Sequence, residues 1–188
     1  MAVEANFLKK KDSMFKINAI CPTIFAKYCK KNDKYLIQAS GTLVHKKSEI
    51  YSHKSKFNPG TYYGRTKLYA EKKIIKSSCK YAIIRFAGIF GKNGPNHLDL
   101  NKTIDDAIKG KILKFSGNTK IKRNYIYVGD AANVIKKCLD NSLNGIFYAS
   151  GQIQSFGQML AKVNKNLGRN HPIHFINKNN NEINQLSI

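Results

Sequence analysis

Acidic side chains are scarce in this chain of 188 residues: 11 Asp and Glu stand against 33 Lys and Arg, a formal net charge of +22. Long apolar runs are lacking too. No stretch approaches the ~18 consecutive apolar residues of a membrane span, so no spanning helix is expected. The opening Met1-Ala2-Val3-Glu4-Ala5 has no basic lead followed by an apolar run, so no secretory signal is expected either. Cysteines occur only at 21, 29, 79 and 138. Their spacing shows no metal-binding pair and demands no disulfide, which makes a reduced, cytoplasmic setting the expectation. No segment repeats.

The shortage of acid does not by itself select nucleic acid as a partner. The lysines are scattered, with no long basic block, and most fall between apolar positions as solvated faces. A field of this sign also suits a phosphorylated small molecule. Apolar residues at 42% and aromatics at 11% support one packed domain rather than disorder.

Apolar runs and turn residues then order the elements. A helix is expected from Asp12 or Ser13 to about Lys31, kinked or broken at Pro22. Tyr35–Ala39 reads as a buried strand ended by Ser40-Gly41-Thr42, and a polar loop follows from His45 to Thr61. A helix then runs to about Ser78, and Tyr81–Phe86 is a second buried strand. Gly88, Gly91, Gly94 and Pro95 predict a long loop. A helix over Leu100–Lys109 stops at Gly110. Ile112–Phe115 and Asn124–Val128 read as short strands around a polar turn. Asp130 caps or opens the next helix, Gly145–Ala149 is a strand, and Phe156–Leu167 is a last amphipathic helix. His171–Ile176 is expected to be extended. This alternation predicts an α/β fold with a parallel sheet, whose sites form at the carboxyl ends of strands.

Within the second helix Tyr63 and Lys67 are four residues apart, which puts both on one face. An ammonium beside a phenol favours the phenolate and lowers its pKa from about 10. Such a tyrosine can exchange a proton with an alcohol or ketone near neutral pH. Simple i,i+4 packing, in a chain with 10 Tyr, is the alternative that the spacing leaves open.

Five blocks in order resemble the extended short-chain dehydrogenase/reductase family of nucleotide-sugar epimerases and dehydratases. Lys16-Ile17-Asn18-Ala19 is similar to its helix with the V-N-V signature. Tyr35–Ser40 is similar to the strand that delivers an active-site Ser or Thr. Pro59–Glu71 resembles the P…YGxSK…E block, with Thr66 for Ser. Ile84–Gly91 resembles the R…NVYG segment, and Arg123–Asp130 the RDxxxVxD segment. The resemblance implies NAD or NADP as cofactor and a nucleotide-sugar substrate. It makes Tyr63 the catalytic acid/base and Lys67 its partner, which also holds the nicotinamide ribose. Ser40 and Thr42 become the candidate catalytic hydroxyls, and Phe86, Ala87 and Ile89 the border of the nicotinamide. Gly88 and Arg123 fall on the substrate, with Arg123 at a phosphate. Asp130 is expected to be a helix cap, Glu71 to be structural, and no metal is implied. A homodimer through the Tyr63 helix is a further expectation.

The departures are specific. The family's Ser or Thr falls on Gly41, with Ser40 and Thr42 on either side. Gly stands at 88 for Asn, and His45 for Tyr, where it is expected to be a loop histidine. No Gly-x-x-Gly-x-x-Gly turn precedes the rest. Gly88, Gly91 and Gly94 have that spacing but follow the Tyr63 helix, and are expected to be loop glycines. By the resemblance Met1 aligns near the end of the fourth strand, leaving on the order of 60 residues of the family's first strands without a counterpart. The expectation is therefore a partial Rossmann-like parallel sheet, formed by about 1–95 plus 129–150. About 96–128 and 151–188 would form a small substrate-binding part. Two functions follow: NAD(P)-dependent epimerase, dehydratase or reductase chemistry on a nucleotide sugar, incomplete in this chain alone; or a non-catalytic remnant or binding module of the same fold.

Overall fold

A computed structural model describes residues 11–45, 50–51, 54–95, 98–111, 114–116, 120–168, 174–176 and 186–187. The first helical segment is in three pieces: α1 (Lys11–Phe15), a π-helical turn (Lys16–Ile20) and α2 (Cys21–Lys31). Pro22 sits in the first turn of α2, directly after the π-helical turn. The expected break at Pro22 is thus a local widening just before it, and the helix is already formed at Lys11, ahead of the expected caps.

The main sheet is β1 (Tyr35–Gly41), β3 (Lys80–Phe86) and β7 (Gly145–Ala149). All three are parallel, with β3 in the middle, Tyr35 opposite Lys80 and Ala82 opposite Gly145. Alternate residues of each strand point to opposite faces. On one face Ala82, Ile84 and Phe86 pack with Ala131 and Cys138 of α5 (Val128–Asp140), joined by Tyr35 and Ile37. On the other, Ile83 packs with Ala26 and Cys29 of α2 and Ile74 of α3 (Tyr62–Ser77). A central sheet with helices on both faces is the arrangement expected for βα-type units.

β4 (Gly88–Phe90) begins one residue after β3, so the expected loop starts as a strand. It runs parallel to β6 (Lys122–Tyr127), and β8 (Ile153–Ser155) adds an antiparallel strand to β6. α4 (Asp99–Ile108) and α6 (Phe156–Asn166) cover this second sheet through Leu100, Phe156, Met159 and Leu160. Ser155 and Gln158 close a reciprocal capping box that starts α6. Short parallel pairs join β2 (Ile50–Tyr51) to β10 (Leu186–Ser187) and β5 (Lys114–Ser116) to β9 (His174–Ile176). Among the described residues β5 and β6 are not paired with each other. The expected strand residues at 112–113 and 171–173 lie outside the described residues.

Candidate functional site

α3 is set against the carboxyl end of β1. Its N-cap is Thr61, whose Oγ1 accepts from the Gly64 N–H at 3.0 Å. Gly64 lets the helix start come close. A Cβ there would lie 2.2 Å from the Leu43 carbonyl oxygen and 2.9 Å from Pro59 Cβ. The residue after Tyr63 must therefore be glycine for α3 to lie on the turn that ends β1 (Thr42–Val44). Thr66, in the family's serine place, is buried and donates to the Tyr63 carbonyl at 2.8 Å.

Lys67 is only 4% exposed. Its Nζ lies 5.6 Å from the centre of the Tyr63 ring and donates to the Ala39 carbonyl at 3.2 Å. Burial lowers its pKa from 10.5 to about 8, against the opposing pull of the Glu71 carboxylate. The half-buried Tyr63 and the buried Lys67 thus meet at the end of β1.

The hydroxyl candidates divide. Ser40 is 8% exposed, and its Oγ donates to Glu71 Oε1 at 2.5 Å. Thr42 is half-buried and opens the short turn after β1. Gly41 lies between them with extended backbone.

Phe86 and Ala87 are buried, whereas Ile89 is 39% exposed on β4. A Cβ on Gly88 would lie 2.7 Å from the Tyr125 ring, so any larger residue there requires that ring to move. Arg123 sits half-buried on β6, two residues before Tyr125. Burial pushes the Tyr125 phenol up to about 12, with Asp99 adding to the rise and Arg123 opposing it. Asp130 opens α5 from its first turn, one of the two expected roles, but makes no side-chain cap; its charge suits the positive end of the helix.

The glycines at 88, 91 and 94 do not form a phosphate cradle. The Gly91 N–H donates to Asn101 Oδ1 at 3.1 Å, and the Gly94 N–H to the Gly91 carbonyl at 3.0 Å. Val128 and the Asn101 amide fill the space beside Gly91 and Gly94. The N–H groups of Gly91 and Gly94 are therefore already engaged, with α4 and within the loop. A cavity of about 470 Å³ lies elsewhere, between α4, α6 and β6, and includes neither Tyr63 nor Lys67.

A buried polar cluster beside Lys67 was not foreseen. Glu71 and Arg85 are each about 2% exposed or less. Arg85 grips Glu71 with two nitrogens, Nε to Oε1 at 3.2 Å and Nη2 to Oε2 at 2.6 Å. Arg85 Nη1 also donates to Tyr148 Oη at 2.7 Å, and His45 Nε2 lies 2.6 Å from that hydroxyl and 3.2 Å from Nη1. His45 follows the Thr42–Val44 turn outside the named strands, as expected of a loop histidine, but it is 2% exposed and stacks with Phe57 and with Tyr148. The signal was in the chain: a charge inside the apolar run Tyr81–Phe86 must find a partner when buried.

The parallel sheet, with the helix of Tyr63 and Lys67 laid on the carboxyl end of β1, agrees with the extended short-chain dehydrogenase/reductase class, to which the comparisons assign the chain. Within it, the chain belongs to the family described as RmlD substrate binding domain, whose profile matches residues 5–114. Solved structures share the fold at low sequence identity. A UDP-glucuronic acid 4-epimerase from Bacillus cereus, in complex with NAD, is 18% identical with a TM-score of 0.81, over 99% of this chain and 62% of that one. A UDP-N-acetylglucosamine 4-epimerase from Methanobrevibacter ruminantium, in complex with UDP-N-acetylmuramic acid, is 18% identical with a TM-score of 0.81, over 100% and 65%. A dTDP-4-dehydrorhamnose reductase from Bacillus anthracis, in complex with NADP, is 21% identical with a TM-score of 0.82, over 100% and 67%. The chain thus spans a little under two thirds of the length of the first of these relatives. No curated protein sequence matches it. Among the described residues, no helix is long and apolar enough to cross a membrane, and no group of His, Cys, Asp and Glu could hold a metal ion.

Proposed function

We propose that the chain carries the proton-transfer and substrate part of an NAD(P)-dependent oxidoreductase or epimerase acting on a nucleotide-activated sugar. The observation that carries this reading is Lys67, buried at the end of β1 within reach of the Tyr63 ring. The bound nicotinamide would exchange a hydride with the sugar carbon. Tyr63 would take the proton of the sugar hydroxyl, or return it. Lys67 would favour the phenolate and hold the nicotinamide ribose. Phe86, Ala87 and Ile89 would border the nicotinamide, Gly88 the sugar, and Arg123 a substrate phosphate. Residues of about 1–95 and 129–150 would then serve the cofactor, and about 96–128 and 151–188 the substrate. Pairing of two copies through α3, the Tyr63 helix, has support in its exposed Tyr69 and Ile75, with Ile24, Phe25 and Tyr28 exposed on the neighbouring α2.

The test is hydride transfer with NAD(H) or NADP(H) and UDP- or dTDP-sugars. Turnover that Tyr63→Phe abolishes supports the reading, and equal turnover in that variant overturns it. A second reading, a non-catalytic member of the fold, has its own observation. Position 41 carries no hydroxyl, and the hydroxyl of Ser40 is committed to Glu71. Absence of turnover with either cofactor and any of these sugars supports that reading.

A further inference from the structure

Lys67 and Glu71 stand at i and i+4 on α3, the spacing at which a lysine and a carboxylate ordinarily pair. They do not pair here. Among the described residues Lys67 makes no ion pair, and its Nζ donates to a neutral carbonyl, that of Ala39. Glu71 is turned away: it accepts from Ser40 and from two nitrogens of Arg85, and all three side chains are buried.

What holds Arg85 is visible one shell further out. A guanidinium only donates, so in its contact with Arg85 Nη1 the His45 Nε2 must be the acceptor. The other ring nitrogen, Nδ1, then carries the proton and donates to the Ser55 carbonyl at 3.1 Å. Tyr148 accepts from Arg85 and donates to the same Nε2. This neutral tautomer accounts for these contacts, with Nε2 shared between two donors. Phe57 and Tyr148 lie against the guanidinium, with ring centres 5.0 and 5.4 Å from Cζ.

We infer that Arg85, fixed by Tyr148 and His45, is a positioning residue that keeps Glu71 off Lys67, so that the lysine stays an unpaired cation beside Tyr63. Its consequence for catalysis rests on the reading of Tyr63 and Lys67 given above; the arrangement itself does not. Freed from Arg85, Glu71 would swing to its helical neighbour, and the lysine would hold its proton more tightly. The lowered Lys67 pKa agrees in sign, since burial lowers it and Glu71 alone opposes.

The test is the titration of Lys67 in the full chain, followed by NMR of selectively labelled lysine and assigned by the spectrum of Lys67→Arg. Four proteins are compared: the parent, Glu71→Gln, Arg85→Gln and Tyr148→Phe. Glu71→Gln is expected to lower the Lys67 midpoint. Arg85→Gln is expected to raise it by about one pH unit or more, a roughly tenfold tighter hold on the proton. Tyr148→Phe is expected to move it the same way by less. A purely structural role would destabilise the fold and leave the Lys67 midpoint in place. Unchanged midpoints in folded Arg85→Gln and Tyr148→Phe overturn the inference. If Arg85→Gln does not fold, Tyr148→Phe decides. Failure of the catalytic reading shows elsewhere, as turnover that survives Tyr63→Phe, and leaves these midpoints untouched.

Discussion

Gly41 and Phe86 face each other across the β1–β3 ladder, and a Cβ on Gly41 would lie 3.7 Å from the Phe86 carbonyl oxygen, an ordinary contact. The backbone of Gly41 is extended, at φ −156° and ψ 165°, so any residue can occupy it. A serine therefore fits at the position where the family's hydroxyl falls. Gly41→Ser is expected to melt at the parent temperature. In a form that turns over a nucleotide sugar, it should raise kcat on the order of 10²-fold, the usual worth of one donor aimed at a reacting oxygen. Rate assays beside thermal melts check this. A folded Gly41→Ser with unchanged kcat would remove position 41 from the chemistry.

The elements that frame the site were legible because local pattern decides them. Tyr35–Gly41, Lys80–Phe86 and Gly145–Ala149 are apolar runs with turn residues at their ends, and α3 has a cap, an apolar stripe and a stop. What escaped depends on partners distant in sequence. Gly88–Phe90 and Ile153–Ser155 are three-residue strands that exist only because β6 lies between them. The contact between His45 and Tyr148 spans 103 residues, and nothing near His45 announces it. Arg85 did carry a signal, a charge in an otherwise apolar strand, but its partner could not be chosen from spacing. Lys67 shows the opposite limit. Its helical face was legible, whereas its burial and its separation from Glu71 came from the packing of β1 and β3.

The buried ammonium of Lys67 has a consequence for stability. Its folded pKa of about 8 lies below the ordinary 10.5, so between these values the unfolded chain binds more protons. Stability then rises with pH across that window, and below about 8 the whole penalty is present. The penalty corresponds to about 3 kcal/mol at most. Lys67→Met is therefore expected to be more stable than the parent at pH 7, with the gap closing towards pH 10. Melting both proteins at several pH values measures the difference and cancels the other titrating groups. A gap that stays constant from pH 7 to 10 would contradict a lowered Lys67 pKa.

His45 acts at the other end of the scale. Burial, and then the positive charge of Arg85, lower its pKa below the ordinary 6.5, while Ser55, Lys56 and Glu71 oppose. Unfolded chains take up the proton first, so stability is lost as pH falls below 6.5. Protonation also removes the Nε2 acceptor that serves Tyr148 and Arg85. His45→Phe keeps a ring between Phe57 and Tyr148 but cannot titrate. It is expected to cost about 1 kcal/mol at pH 7, through the lost hydrogen bonds, and to show a flatter decline between pH 7 and 5. Denaturant melts at pH 7, 6 and 5 give both numbers; parallel declines in the two proteins would rule out His45 as the acid-sensitive group.

Association sets an apolar patch against charge. Ile24, Phe25 and Tyr28 are 58–59% exposed on α2, and among the described residues β1, beside it, pairs on one side only. Exposed apolar side chains next to an open strand edge favour self-association. A net charge of +22 opposes it, and salt screens that repulsion over about 10 Å at 0.1 M. The chain is therefore expected to associate more strongly as salt is raised, the reverse of contacts held by ion pairs. Sedimentation of the parent and of an Ile24→Glu/Phe25→Glu variant, at low and high salt, tests this. The parent should shift from monomer towards larger species with salt while the variant stays monomeric. A parent that remains monomeric at high salt would show that the α2 patch is too small to overcome the charge, and pairing through α2 and α3 would fall with it.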